Sequence, residues 1–225
     1  MSSLKGQVCV VTGASRGIGR AVAEALADAG ASLALCAVQD VPVGPLLGTP
    51  QYCARCDVSD EEQVATFFAE AEKEFGAPDV LVINAGVFER AAIDEMSARQ
   101  WDRVLAVNLK GAFLCARAAW PAMRAKRRGR VIAVGSISGT LGTPCASAYN
   151  ASKWGLTGFI KSIAEEGREH GIFCALVVPG SVDTDMLKQT SFAAQMQPED
   201  VAEVVRFLAT DAPLAMTGSA VEVFG

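Results

Sequence analysis

Gln7-Val8-Cys9-Val10-Val11-Thr12-Gly13-Ala14-Ser15-Arg16-Gly17-Ile18-Gly19 is the stretch that decides the fold. Gln7–Thr12 is a short apolar run of strand length. Gly17–Ala29 has the period of an amphipathic helix. Between them lies G-x-x-x-G-x-G, with Gly13, Gly17 and Gly19. Glycine there permits positive φ and lets backbone N–H groups approach a pyrophosphate at a helix N-terminus. A glycine motif alone is weak, and an ordinary structural turn is the competing reading. Its place between a strand and a helix favours a dinucleotide site.

Outward from this turn, strands and helices alternate. Ser32–Ala37, Tyr52–Cys56, Asp79–Ile83, Arg130–Gly135, Phe173–Val178 and Ala220–Phe224 read as strands. Asp60–Phe75, Ala98–Arg124, Ala148–His170 and Pro198–Thr210 read as helices, with Asp60 or Ser59 capping the first of these. Repeated strand–helix units imply parallel pairing with right-handed crossovers. Runs such as Val80-Leu81-Val82-Ile83 suit a sheet buried on both faces. The expected fold is α/β: one Rossmann-type, doubly wound domain over residues 1–225, a seven-stranded parallel sheet with helices on both faces. Gln39–Pro50 carries Pro42, Gly44, Pro45, Gly48 and Pro50, which predicts a loop or a single turn rather than a crossover helix.

Composition narrows the function classes. The chain has 225 residues, 51 % of them apolar, enough for a packed core without disulfides or metals. A formal charge of −5 offers no general attraction to nucleic acid or anionic membranes. Val131–Ser152 is uncharged but broken by Gly135, Gly139, Gly142 and Pro144, so no membrane span is expected. Met1–Gly6 shows no signal pattern. Seven cysteines scattered along strands and helices suit free thiols in a reducing compartment, the cytoplasm or an organellar matrix. Cys53-Ala54-Arg55-Cys56 lacks two further ligands, and the one histidine, His170, is distant in sequence; buried thiols are expected there, not a metal. The run Lys126, Arg127, Arg128, Arg130 reads first as a solvated helix end, with docking of an acidic carrier protein as the alternative.

Two further features concern chemistry. The second strand ends at Ala37-Val38 with no carboxylate for a ribose 2′-hydroxyl, Asp40 lies further on, and Arg16 can meet a 2′-phosphate; this favours NADP(H) over NAD(H). Tyr149 and Lys153 are four apart, on one helix face and one turn apart. A tyrosine near its ordinary pKa of about 10 exchanges protons poorly at neutral pH. A nearby ammonium is expected to lower it.

Thr12–Gly19, Asp57-Val58, Asn84-Ala85-Gly86, Asn108, Gly135-Ser136, Tyr149-x-x-x-Lys153 and Pro179-Gly180 followed by Thr184 stand in one order along the chain. With them the sequence resembles the short-chain dehydrogenase/reductase family over essentially its whole length. Within that family it is most similar to 3-oxoacyl-acyl-carrier-protein reductases and NADPH carbonyl reductases. The resemblance implies reduction of a small-molecule carbonyl, free or carried on acyl-carrier protein, by hydride transfer. Tyr149 would be the acid/base, Ser136 would hold the substrate carbonyl, Lys153 would also bond the nicotinamide ribose, and Asn108 would hold a water linking Lys153 to solvent. It implies cofactor contacts at Gly13, Ser15, Arg16, Gly17, Ile18, Gly19, Asp57, Val58, Asn84, Ala85, Gly86, Tyr149, Lys153, Pro179, Gly180, Val182 and Thr184. Cys145 is expected in the substrate pocket with Ser136 and Tyr149. The segment between Met186 and Pro198 is shorter than in relatives. An NAD-dependent alcohol dehydrogenase and a non-catalytic nucleotide-sensing protein are the alternative readings. Apolar residues beyond one stripe on the last two long helices (Trp154, Leu156, Phe159, Ile160, Ile163; Phe113, Leu114, Ala118, Ala119) predict a homodimer or homotetramer.

Overall fold

The computed structural model describes residues 3–41 and 48–225. Seven parallel strands form one sheet: β1 (Val8–Thr12), β2 (Ser32–Ala37), β3 (Gln51–Arg55), β4 (Val80–Ile83), β5 (Gly129–Val134), β6 (Ile172–Pro179) and β7 (Ala220–Val223). Their spatial order is β3-β2-β1-β4-β5-β6-β7. The chain therefore runs outward from β1 to β3, then returns to place β4 on the other side of β1. That reversal opens a crevice beyond the carboxyl ends of β1 and β4, where ligands of open α/β sheets bind.

The strands from β1 to β6, the edge strand β3 apart, are almost wholly buried, which explains their uninterrupted apolar sequences. Alternate residues supply two cores. Val11, Leu35, Val82 and Ile132 pack with Val22 and Leu26 of α1 (Gly17–Asp28) and Val201 and Leu208 of a C-terminal helix, Pro198–Thr210. Val10, Leu81, Val131 and Leu176 face α2 (Glu61–Phe75) and two long helices on the other side. The edge strand β7 alternates exposed and half-buried residues, as an edge should. Asp60 caps α2, its carboxylate accepting from the Glu62 and Gln63 amides at 3.0 and 3.1 Å.

The helix expected over Ala98–Arg124 is not continuous. It comprises α3 (Ala98–Leu105), a π-helical turn at Ala106–Lys110, and α4 (Gly111–Lys126). A π turn accommodates one extra residue within helical hydrogen bonding. Asn108 sits inside it, 2 % exposed. The two remaining helices are α5 (Ser147–Arg168) and α6 (Pro198–Thr210). In the crossover after β2, the described residues up to Val41 and from Gly48 are not helical; the rest of that segment, 42–47, lies outside the described residues, as do Met1 and Ser2.

Cys53 of β3 packs against one core, and Cys56, the residue after that strand, lies within the other. All seven thiols are free. The basic run has work inside the fold. Asp79, 6 % exposed, accepts from the Val8 amide at 3.0 Å and takes Lys126 and Arg128 at 3.1 and 3.0 Å. Burial alone would raise its pKa; the Val8 amide and the two cations outweigh that and hold it low. Arg127 donates to the Glu169 carbonyl and Arg130 to those of Leu208 and Ala212. These contacts cluster where β4 and β5 begin, at the end of the sheet opposite the crevice.

Candidate active site

A cleft of about 970 Å3 opens at the β1/β4 switch point. This lies at the upper end of the roughly 300–1,000 Å3 typical of small-molecule and cofactor sites. One arm is walled by Gly13, Ser15, Arg16, Gly17, Ile18 and Gly19 with Ala37, Val38, Gln39, Asp57 and Val58. The other is walled by Asn84, Ala85, Gly86, Val87, Phe88, Tyr149, Lys153, Thr184 and Met186.

The glycine turn is built to bring backbone close. Gly13 has φ +67°, and a Cβ there would lie 2.8 Å from the Ala85 Cα. A Cβ on Gly19 would fall on the Gly13 carbonyl oxygen and the Asn84 side-chain nitrogen. Asn84 Nδ2 occupies that space, donating to the Thr12 and Gly13 carbonyls at 3.0 and 3.1 Å. The Thr12 hydroxyl accepts from the Asn84 and Ala85 amides at 3.0 and 3.1 Å. The motif after β4 thus clamps the turn after β1. No side chain caps α1, so its first amides remain donors toward the cleft. A glycine-lined cradle ending in an uncapped helix fits a dinucleotide phosphate.

At the ribose end of β2 the wall is Ala37, Val38 and Gln39. Asp40 is held by Arg55 through two hydrogen bonds of 2.6 and 2.7 Å. Arg16 reaches Asp185 at 3.3 Å, and Asp185 also pairs with Lys188 at 3.1 Å. The Gly17 side of the turn meets Thr184, whose Cγ2 would be 3.3 Å from a Cβ there. The segment after β6 therefore crosses the turn. Its shortened course is pinned from beneath: Val182 bridges Met196, and Ser181 O accepts from the Gln195 amide at 2.9 Å. Pro179 closes β6, and the Gly180 amide donates to Val223 O at 2.9 Å; these two and Val182 support the wall and do not line it.

Tyr149 and Lys153 are both buried, on the first turns of α5. Burial pushes the Tyr149 phenol above its ordinary value, and the neighbouring Ser136 hydroxyl draws it back only in part. The expected lowering by Lys153 is thus not met by the protein's own groups. The reason is geometric as well as dielectric: Lys153 Nζ donates to Val134 O at 2.9 Å and lies 5.6 Å from the centre of the Tyr149 ring. Burial pushes Lys153 itself down to about 8. A lowered lysine is charged only below that value. We expect kcat/KM for the cofactor, which reports the free enzyme, to fall as pH rises through about 8; a profile flat to pH 9.5 would contradict this.

Ser136 follows β5 and accepts from the Ser138 amide at 3.1 Å. Neither Ser136 nor Cys145 lines the cleft itself; Cys145 is half-buried, left-handed at φ +60°, and its carbonyl accepts from the Ala91 amide at 3.1 Å. Asn108 does not present its side chain to the cleft. Its Oδ1 accepts from the Val87 amide at 2.8 Å, and its Nδ2 donates to Val87 O and Ser152 Oγ, both at 3.0 Å. The side chain is a clamp between the β4 loop, the π turn and α5. Sequence reasoning missed Thr12, Asp185 and Phe88. Thr12 belongs to a quoted motif and Asp185 directly follows another, yet nothing local marks their distant partners.

A doubly wound sheet with a phosphate cradle and a buried Tyr–Lys pair at its switch point defines a dinucleotide-dependent oxidoreductase. The family model for short chain dehydrogenases matches residues 7–195, and the chain belongs to that family. It is 34 % identical over 238 residues to the 3-oxoacyl-[acyl-carrier-protein] reductase FabG of Escherichia coli (strain K12), covering 99 % of this chain and 98 % of that one. To the 3-oxoacyl-[acyl-carrier-protein] reductase of Synechocystis it is 35 % identical over 242 residues, with 100 % and 98 % covered. The crystal structure of gox2181 superposes with a TM-score of 0.92 at 31 % identity, over 99 % of this chain and 95 % of that one. Members of the family use NAD(P). Among the described residues no helix is long and apolar enough to cross a membrane.

Proposed function

We propose that the protein is an NADPH-dependent reductase that converts the carbonyl of a 3-oxoacyl thioester, or of a related ketone or aldehyde, to an alcohol. The observation that carries this is a cleft with Tyr149 and Lys153 in one wall, Ser136 bonded to the Tyr149 phenol just behind it, and the glycine cradle at the other end. The reduced nicotinamide supplies the hydride when bound. The chain's own residues do the rest. The cradle, held in shape by Asn84, fixes the phosphates, and Ser136 Oγ orients the substrate carbonyl oxygen. Tyr149 Oη gives its proton to that oxygen, so that C=O becomes CH–OH. The Lys153 ammonium stabilises the phenolate left behind and binds the ribose. The test is NADPH and NADH oxidation against a carbonyl panel. Cofactor binding without oxidation by any carbonyl would instead favour the non-catalytic nucleotide-binding reading.

The preference for NADPH rests on Arg16 and on the uncharged Ala37–Gln39 wall, with Asp40 already occupied by Arg55. A charge-assisted contact contributes about 1.5–3 kcal/mol. Arg16→Ala is therefore expected to reduce the NADPH-over-NADH affinity ratio by about 10- to 150-fold. Equal affinities in the unmodified protein would sink the assignment.

The assembly we propose is at least a homodimer, with a homotetramer as the larger form, joined through α4 and α5. Leu114, Ala119, Leu156 and Ile160, counted above as excess, belong to the core; the outward groups are Trp154 and Phe113, 55 % and 43 % exposed, with half-buried Phe159 and Ile163 beside them. Phe113 and Phe159 meet edge to face at 6.4 Å, and Arg117 lies over Phe113. Sedimentation at micromolar concentration should give a dimer or tetramer, shifted toward monomer by Trp154→Glu; a monomer in the unmodified protein would refute it. The localisation we propose, the cytoplasm or an organellar matrix, is supported by the scatter of seven unpaired cysteines along the chain.

A further inference from the structure

We infer that Phe88 is a specificity-determining residue, the centre of an apolar wall that seats an extended aliphatic or aryl substituent of the substrate carbonyl beside Tyr149. The inference rests on the carbonyl-reductase reading above.

Two large cores flank the sheet, and a third, small cluster stands apart from both. Tyr149 is at its heart. Phe88, Met96, Trp101 and Met186 pack around it, each only half-buried. They come from the loop after β4, from α3 and the turn before it, and from the segment after β6. Phe88 meets Tyr149 ring to ring at 5.2 Å and 84°. Phe88 and Met186 line the cleft, so the apolar surface they leave uncovered faces its interior. Such concave, partly covered apolar surface is what a ligand buries on binding.

The surroundings favour an apolar substituent over a hydroxylated one. Glu89 and Arg103, which line the cleft beside Phe88, are turned toward each other in an ion pair of 2.6 Å. The loops after β4, β5 and β6 each carry a large exposed apolar side chain: Ile93, Leu141 and Phe192, at 75, 57 and 57 %. Three loops at the same end of the sheet thus present hydrocarbon to the solvent through which a substrate arrives.

The experiment compares straight-chain methyl ketones from 2-butanone to 2-decanone, acetophenone and dihydroxyacetone, with unmodified protein, Phe88→Leu and Phe88→Ala. If the wall binds the chain, kcat/KM rises by about fourfold per added methylene until it is filled. Dihydroxyacetone should lie at least about 100-fold below 2-octanone, because its hydroxyls would be desolvated without partners. Phe88→Ala should flatten the chain-length dependence and Phe88→Leu should keep most of it. Calorimetric titration of the same ketones into cofactor-loaded Tyr149→Phe protein, with and without Phe88→Ala, reads the wall without turnover. There the dependence on chain length should persist with Phe88 and collapse without it. Absence of reduction of these ketones and of a 3-oxoacyl thioester run beside them, together with chain-dependent binding, would overturn the reductase reading and leave the wall standing. Preference for dihydroxyacetone, or a chain-length slope indifferent to Phe88, would overturn the inference. Thermal melts of the variants check folding; if Phe88→Ala does not fold, Phe88→Ser takes its place, and a chain-length slope unchanged in that variant would overturn the inference.

Discussion

Replacing Tyr149 with phenylalanine is expected to reduce turnover by at least about 10²- to 10⁴-fold, the range that a positioned general acid contributes. Cofactor affinity should stay within about twofold, since the variant keeps the ring that packs against Phe88 at 5.2 Å and removes only the hydroxyl. Burial already holds that phenol in its protonated form, which is the form a reductase needs before hydride transfer. Steady-state NADPH oxidation and a fluorescence titration of NADPH, run on the same preparation, separate the two effects. Near-normal turnover would mean that another acid serves the carbonyl. Lys153→Ala would differ in kind, because its ammonium lies under the ring and at the cleft wall, so it should impair binding and turnover together.

Gly19→Ala is expected to be the most damaging single methyl group in the molecule. The new Cβ would collide with the Gly13 carbonyl and with Asn84 Nδ2, the atom that ties the β4 loop to the glycine turn. Neither neighbour can retreat without breaking the cradle. Overpacking of this type costs about 1–3 kcal/mol. For a chain of this size, that lowers Tm by roughly 2–12 °C. Cofactor affinity should fall by at least about tenfold, since the same displacement moves the amides aimed at the phosphates. Gly142→Ala is the control: nothing lies within 4 Å of a Cβ there, so it should melt with the unmodified protein and bind cofactor normally. Equal behaviour of the two variants would show that the turn is looser than its geometry implies.

The acid range offers a further contrast between the two ends of the sheet. Asp79 is a buried carboxylate fixed by one amide and two cations, far from the cleft. Its role is to hold β1, β4 and the end of α4 together. The glycine cradle of the cleft, in contrast, is held by backbone groups and the neutral side chains of Thr12 and Asn84.

Much of this was legible in the amino-acid order alone. Buried parallel strands have to be continuously apolar, so β1, β2, β4, β5 and β6 could be read directly, within a residue or two at each end. A glycine-rich link between a strand and a helix, and a tyrosine and a lysine one helical turn apart, are local patterns whose geometry follows from backbone rules. What tertiary structure decided depends on pairs distant in sequence or on a single residue of slack. The π turn inserts one residue into a helix without visibly disturbing its periodicity, yet it alone buries Asn108 and turns its amide onto Val87 and Ser152. Arg16 and Asp185 are 169 positions apart, and Phe88 and Tyr149 meet only because β4 and α5 end at the same crevice. The sign of the Tyr149 shift was likewise a tertiary matter: spacing places an ammonium nearby, but only packing determines that burial outweighs it.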